Sequence, residues 1–295
     1  MKLGIDIGGT KMEVAILDQQ NNIVDRQRTP TDRDKGYESI CARLSEFILS
    51  ILQKNNLDLS SLQGIGIGLP GAVSPENQMM INGNTNCFVN KPLANDLREK
   101  LGAPELVIRC ANDANCFALA EHQLGSGKGH DSGVGIILGT GCGTGIILNN
   151  KIHTGKRGGA GEAGHHTLDI NGPECYCGRR GCAELFISGH GFETLFKNET
   201  GVELSATEIF ESEKWSGTYL PMYQNYLANF ILNLTNILGP DYFVLGGGLS
   251  NSPHIYKGLQ EKVDQLHFLQ GTPAPRVQKH ELGDSAGVIG AALLV

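Results

Sequence analysis

Glycine placement constrains this chain more than any other feature. Its 295 residues include 40 glycines. They form no low-complexity tract. They gather in short clusters, and three of these each close an apolar, strand-like run. The first is Asp6-Ile7-Gly8-Gly9-Thr10-Lys11, the second Gly139-Thr140-Gly141-Cys142-Gly143-Thr144-Gly145, the third Gly246-Gly247-Gly248-Leu249-Ser250-Asn251. Without a Cβ, successive backbone N–H groups can turn toward one anion, and threonine hydroxyls add donors. A single loop of this kind reads more simply as a tight hairpin turn. Three of them, each at a strand end, favour anion binding. Asp6, a carboxylate within the first loop, is placed to hold a divalent cation directly or through water.

The rest of the chain alternates strands and helices. Residues 3–17 read as strand, glycine turn, strand, with Met12, Val14 and Ile16 alternating against Lys11, Glu13 and Ala15. Ile40, Leu44, Phe47, Ile48, Ile51 and Leu52 recur at helical spacing. A buried strand, QGIGIGL, stops at Pro70-Gly71, and a short strand at 106–110 leads into Asn112-Asp113 and a helix. Residues 134–148 repeat the opening design: apolar strand, Gly/Thr turn, apolar strand. On that similarity alone, a duplicated lobe and two unrelated hairpins are equally open. A long helical stripe from Met222 to Leu238 stops at Gly239-Pro240, and Asp284 opens a last helix. The class is α/β.

Two phosphate motifs are excluded. Gly127-Lys128 and Gly155-Lys156 lack the Ser or Thr of a GxxxxGK[ST] loop. Gly66, Gly68 and Gly71 spell GxGxxG, but Pro70 interrupts it and no acidic residue ends a second strand about 20 residues on. The net charge of -7 argues against a nucleic-acid or anionic-membrane partner, since neutralising phosphates needs clustered Lys and Arg. The N-terminus shows no leader pattern and no apolar run reaches about 20 residues, so the expected location is cytoplasmic. The 8 cysteines are then no disulfide framework. Cys41, Cys87, Cys110, Cys116 and Cys142 read as small apolar side chains. Cys175, Cys177 and Cys182 are clustered, ten residues after His165. A Cys₃His set suits structural Zn²⁺, although the CxC spacing is not that of a usual finger knuckle. A redox pair or free thiols are the alternatives. His166 is a possible substitute ligand. Asp113 follows a strand and opens a helix, which favours its ionised form and suits a general base. Capping is the commonest task of Asx in such a place.

The ordered set DIGGTK, NDANC at 112–116, ILGTGCGTGI at 137–146, GEAGH at 161–165, CYCGRRGC at 175–182 and VLGGGLS at 244–250 resembles the ROK family of bacterial sugar kinases and repressors. The resemblance spans essentially the whole chain. It implies two actin-like lobes around a cleft, with 1–117 plus 282–295 as the small lobe and 118–281 as the large lobe carrying the zinc element. It implies phosphorylation of a sugar by ATP with Mg²⁺, N-acetylglucosamine first and glucose, fructose or mannose as alternatives. Asp113 matches the family's catalytic aspartate. Gly71, Asn112, Asp113, Glu162, His165 and Glu184 match its sugar contacts. Asp6, Gly8, Gly9, Thr10, Lys11, Gly139, Thr140, Gly141, Gly143, Gly246, Gly247 and Gly248 match its nucleotide loops. His165, Cys175, Cys177 and Cys182 match its structural zinc site, which would fix His165 and Glu184 beside the sugar. A homodimer is implied as well. The amide-rich stretch 81–86 is a candidate contact for an N-acetyl group, with a polar turn as the plain alternative. Repressors of the family carry an N-terminal helix-turn-helix. DIGGTK starts at residue 6, which speaks against that role, as it does against a non-catalytic sugar sensor when Asp113 and all three loops are present.

Overall fold

The computed structural model describes residues 1–83 and 85–295. The chain forms two compact units, one of Met1–Ala120, Thr154–Ala160 and Asp284–Val295, the other of Glu121–His153 and Gly161–Gly283. Thr154–Ala160 thus groups with the first unit rather than with 118–281. Gly158 has a positive φ of 77°, and a Cβ there would lie 2.1 Å from Val73 O, so only glycine allows that approach.

The first unit runs β1 (Lys2–Ile7), β2 (Lys11–Leu17), β3 (Ile23–Pro30), α1 (Gly36–Lys54), β4 (Gly64–Leu69), β5 (Gly71–Val73), β6 (Met80–Gly83), α2 (Leu93–Lys100), β7 (Ile108–Asn112) and the start of α3 (Asp113–Leu124). Its main sheet has the order β3-β2-β1-β4-β7. β2 and β3 are antiparallel hairpin strands, while β4 and β7 run parallel to β1. On β1, Leu3, Ile5 and Ile7 share a core with Ile40, Leu44, Ile48 and Ile51 of α1, which explains the helical spacing of the latter. Gly4 and Gly66 lie beneath α9 (Ala286–Ala292). The alternation expected along β2 is absent, because all its residues after Lys11 are buried. Glu13 is covered by Arg26 and Arg28 of β3, with Arg28 Nε 2.6 Å from its carboxylate.

The second unit continues with β8 (Gly133–Leu138), β9 (Cys142–Leu148), β10 (Lys151–Ile152), α4 (Glu184–Ile187), α5 (Gly189–Thr200), α6 (Ala206–Glu211), α7 (Ser216–Leu238), β11 (Tyr242–Gly246), α8 (Leu259–Leu266) and β12 (Arg276–Lys279). Its sheet order is β10-β9-β8-β11-β12, again with two antiparallel joints followed by two parallel ones. The two hairpins that looked alike in sequence therefore hold the same place in two sheets of the same topology. That favours duplication over coincidence. Val134, Ile136, Phe243 and Leu245 of the sheet share a core with Phe192, Phe196, Tyr223 and Phe230.

Candidate functional site

In the second unit, two of the three glycine loops meet. Gly247 is left-handed at φ 80°, and a Cβ there would lie 2.6 Å from Leu138 O. This close fit brings the end of β11 against the end of β8. A cavity of about 610 Å³ opens beside them, lined by Gly139, Thr140, Gly248 and Leu249 and by Gly189, His190, Glu193, Ala206 and Thr207 from the starts of α5 and α6. The Gly189 N–H donates to Gly139 O at 2.8 Å, tying α5 to the second loop. Glu193 accepts the Ala206 N–H at 3.0 Å and ties α6 to α5. The cavity thus combines loop backbone with two helix starts, whose dipoles favour anions.

Gly141 and Cys142 face a different partner. The Cys142 N–H donates to Glu184 Oε2 at 2.8 Å, and a Cβ at Gly141 would meet the same oxygen at 2.6 Å. Gly164 in turn packs on Cys142 O. The second glycine loop is therefore held by the residues next to His165 and Cys182.

Those two, with Cys175 and Cys177, form a cluster whose ligand atoms all lie within 4.8 Å of one another. Cys175 Sγ is 3.6 Å from His165 Nδ1, and Cys177 Sγ is 3.5 Å from Cys182 Sγ. A tetrahedral ion with bonds of about 2.3 Å to sulfur and about 2.0 Å to nitrogen separates two sulfurs by about 3.8 Å and sulfur from nitrogen by about 3.5 Å. The spacing fits zinc, and all eight cysteines are free thiols. Burial, then the Cys177 and Cys175 sulfurs, hold the Cys182 thiol well above its ordinary value. A bound dication reverses that. His166 is engaged elsewhere: Nδ1 lies 2.7 Å from Ala163 O and the ring stacks on Phe230. His165, and not His166, lies within the thiol cluster. The outward Nε2 of His165 lies 3.0 Å from the hydroxyl of Tyr176, and Glu162 opens the turn that carries His165.

In the first unit, the loop Gly8–Lys11 closes the β1–β2 hairpin, with the Gly8 N–H donating to Lys11 O at 2.9 Å. Asp6 ends β1 there. Burial, then the negative charges of Asp113 and Glu13, raise its carboxyl from 3.8 to about 7. Carboxyl groups crowded in this way fit a divalent cation, which removes the repulsion. Asn112 and Asp113 sit where β7 becomes α3. Asn112 Oδ1 accepts the N–H groups of Ala114 at 2.9 Å and Asn115 at 3.3 Å, so Asn112 is the cap. Asp113 Oδ1 accepts the Ala114 N–H as well, at 2.8 Å. Asn112 Nδ2 donates to Gly71 O at 3.3 Å. Gly71 admits no Cβ, which would lie 2.1 Å from Asn82 O across the β5–β6 pairing. Of the amide-rich stretch, Asn82 borders Gly71, Asn86 opens a short turn, and Asn84 lies outside the described residues.

The ROK family profile matches residues 2–295. The chain belongs to the ROK family. It is 36% identical over 311 residues to a Mannheimia succiniciproducens protein named N-acetyl-D-glucosamine kinase, covering 100% of this chain and 99% of that one. Its fold matches the ROK hexokinase of Thermus thermophilus with a TM-score of 0.87 at 30% identity, over 99% of this chain and 97% of the other. A ROK glucokinase of Streptomyces griseus, solved with glucose and AMPPNP, matches at 0.74 and 25% identity over 100% and 98%. The two-lobed, actin-like class expected from the motifs is the class of this ROK chain.

Among the candidate residues of this ROK protein, the structure groups Asp6, Asn112, Asp113 and Gly71 in one unit, with the loop Gly8, Gly9, Thr10 and Lys11. Glu162, His165, Glu184 and the two later loops fall in the other. Gly189, His190, Glu193, Ala206 and Thr207 escaped the sequence reading. The signal available for them was weak: the capping box at Ser205 and Glu208 marks a helix start, but nothing in the sequence says that start faces a cavity.

Proposed function

We propose that this chain transfers the γ-phosphoryl group of ATP to O6 of N-acetyl-D-glucosamine. The observation that carries the reading is the full-length 36% identity to a protein of that name. The geometry is consistent with it. In this reading the cavity beside Gly139, Thr140 and Gly248 receives the nucleoside part of ATP, and the loop N–H groups line its phosphates. The sugar contacts of this reading are Glu162, His165 and Glu184 in the second unit and Asn112 and Gly71 in the first. Asp113 takes the proton of the attacking hydroxyl while the bond to the ADP oxygen breaks. Asp6 is the residue that would hold Mg²⁺, which when bound would supply charge neutralisation at the phosphates. His165, Cys175, Cys177 and Cys182 would hold zinc, which would fix the orientation of the His165 ring.

An unacetylated hexose is the second reading, favoured by the 30% identity to a ROK hexokinase. The acidic balance supports a small-molecule role without nucleic acid. Among the described residues no helix is long and apolar enough to cross a membrane, and a cytoplasmic homodimer is part of the proposal. Sedimentation checks the dimer.

The test is ADP production with Mg²⁺ and N-acetylglucosamine, N-acetylmannosamine, glucose, mannose or fructose, alongside Asp113→Ala. Strong turnover of N-acetylglucosamine that the variant loses upholds both substrate and base. Preference for a plain hexose keeps the mechanism and changes the substrate. No turnover on any sugar rejects the kinase reading and leaves Asp113 as a helix-end residue.

A further inference from the structure

Tyr176 is the one residue between two zinc-ligand candidates, and it is 72% exposed. An exposed aromatic side chain normally owes its position to little. This one has a specific contact. Its hydroxyl lies 3.0 Å from His165 Nε2, and its ring stands edge-on to the imidazole at 5.1 Å and 90°. Nδ1 of the same imidazole faces the thiol cluster. With Nδ1 spent on a metal, the imidazole proton sits on Nε2, and Nε2–H is a donor aimed at an oxygen. That donor is the one left for a sugar hydroxyl. The phenol hydroxyl accepts it in the same way a sugar hydroxyl would, and it has one proton to give in return, as a sugar hydroxyl does.

We infer that Tyr176 is a further residue of the sugar site, its hydroxyl standing in for a substrate hydroxyl on His165 Nε2 until the sugar displaces it. The inference rests on the kinase reading, since it takes His165 as a sugar contact. Displacement is cheap, because the exposed ring gives up one hydrogen bond and one edge contact. It is not free, and sugar affinity carries the difference.

The experiment is calorimetric titration of N-acetylglucosamine into the full-length, zinc-loaded protein and into Tyr176→Phe and Tyr176→Ala, with steady-state kinetics on all three. Removing the competing hydroxyl removes a hydrogen bond of the size that changes an equilibrium a few-fold to about tenfold. The expected result is that Kd and KM for the sugar fall by that factor in Tyr176→Phe, read in Kd and KM rather than in kcat, with zinc content and melting temperature as in the wild type. Tyr176→Ala should show the same fall. An unchanged Kd in Tyr176→Phe overturns the inference. So does a raised Kd, which would make the phenol a contact that the bound sugar keeps. A fall in zinc content in both variants would assign Tyr176 to the metal loop and overturn it too. If the wild type binds no sugar while retaining zinc, the kinase reading itself fails and the inference falls with it, a result separate from any difference between wild type and variant.

Discussion

Asp113 and Asn112 stand side by side at one helix start, yet they do different work. Asn112 accepts the first free N–H groups of α3, at 2.9 and 3.3 Å, so the helix keeps its cap when Asp113 is changed. Asp113→Asn is therefore expected to fold normally and to lower kcat by about 10²–10⁴. A circular dichroism melt beside the kinetic assay checks both halves, and a variant that unfolds instead would return Asp113 to a structural role. Asp6 makes a pH prediction. Its carboxyl is raised from 3.8 to about 7 by burial, Asp113 and Glu13. The folded protein binds more protons than the unfolded chain between those values, so stability falls as pH rises from about 4 to about 7 and the loss is complete above that. Asp6→Asn removes this titrating carboxyl. The variant should be more stable than the wild type at pH 8, and the two should converge near pH 4, as thermal melts without nucleotide will show. At this scale the sequence was informative for residues whose chemistry is local. An Asn-Asp pair between strand and helix announces itself. His190 and Glu193 do not, because only the packing of α5 against the Gly139 backbone turns them toward a cavity.

Elements explain two features for which motifs alone give no reason. The GxGxxG at Gly66, Gly68 and Gly71 holds no phosphate loop. Gly66 is small because α9, more than 200 residues away in sequence, lies on it: a Cβ would sit 1.7 Å from Ala291 O. Gly66→Ala should therefore destabilise the first unit by about 3 kcal/mol, at the upper end for overpacked sites, since backbone and not a side-chain tip stands in the way. Chemical denaturation measures it, and a change below about 0.5 kcal/mol would mean α9 is free to shift. No local pattern could have supplied that reason. The thiol cluster was legible in sequence, because three thiols in eight residues have few other uses in a chain without a disulfide framework, and the structure gathers them beside His165. Its reach was not legible. Cys182 precedes Ala183 and Glu184, and Glu184 holds the Cys142 N–H of the second glycine loop at 2.8 Å. Cys182→Ser should thus lose zinc from about one ion per chain, and also raise KM for ATP and sugar about tenfold or more. Metal analysis and kinetics on the same sample decide it. Intact ATP affinity in a zinc-free variant would sever the link between the two loops.

Over the whole molecule, one plan is used twice: a hairpin with an added antiparallel strand, followed by two parallel strands. The repeat was visible as 3–17 against 134–148 because both copies keep the apolar strand, glycine turn and apolar strand. The remaining equivalence, β4 with β11 and β7 with β12, was hidden, since nothing in their sequences obliges a parallel strand to choose its neighbour. The two copies have diverged in what surrounds them. Only the second places α5 and α6 starts beside its glycine turn, and the cavity lies there. Nucleotide binding should therefore be blocked from the second unit alone. Saturation with AMPPNP and Mg²⁺ at 100 times Kd adds about 2.7 kcal/mol to the stability of whatever the nucleotide binds. Thr207→Trp, an exposed position on the cavity wall, fills that space without touching the core. The expected melt shows the nucleotide-induced rise abolished in the variant while the rise with N-acetylglucosamine persists, because Glu162, His165 and Glu184 are unaltered. If Thr207→Trp keeps its nucleotide response, the adenosine part of ATP lies outside the Gly139–Gly248 cavity, and the two helix starts serve α5 and α6 alone.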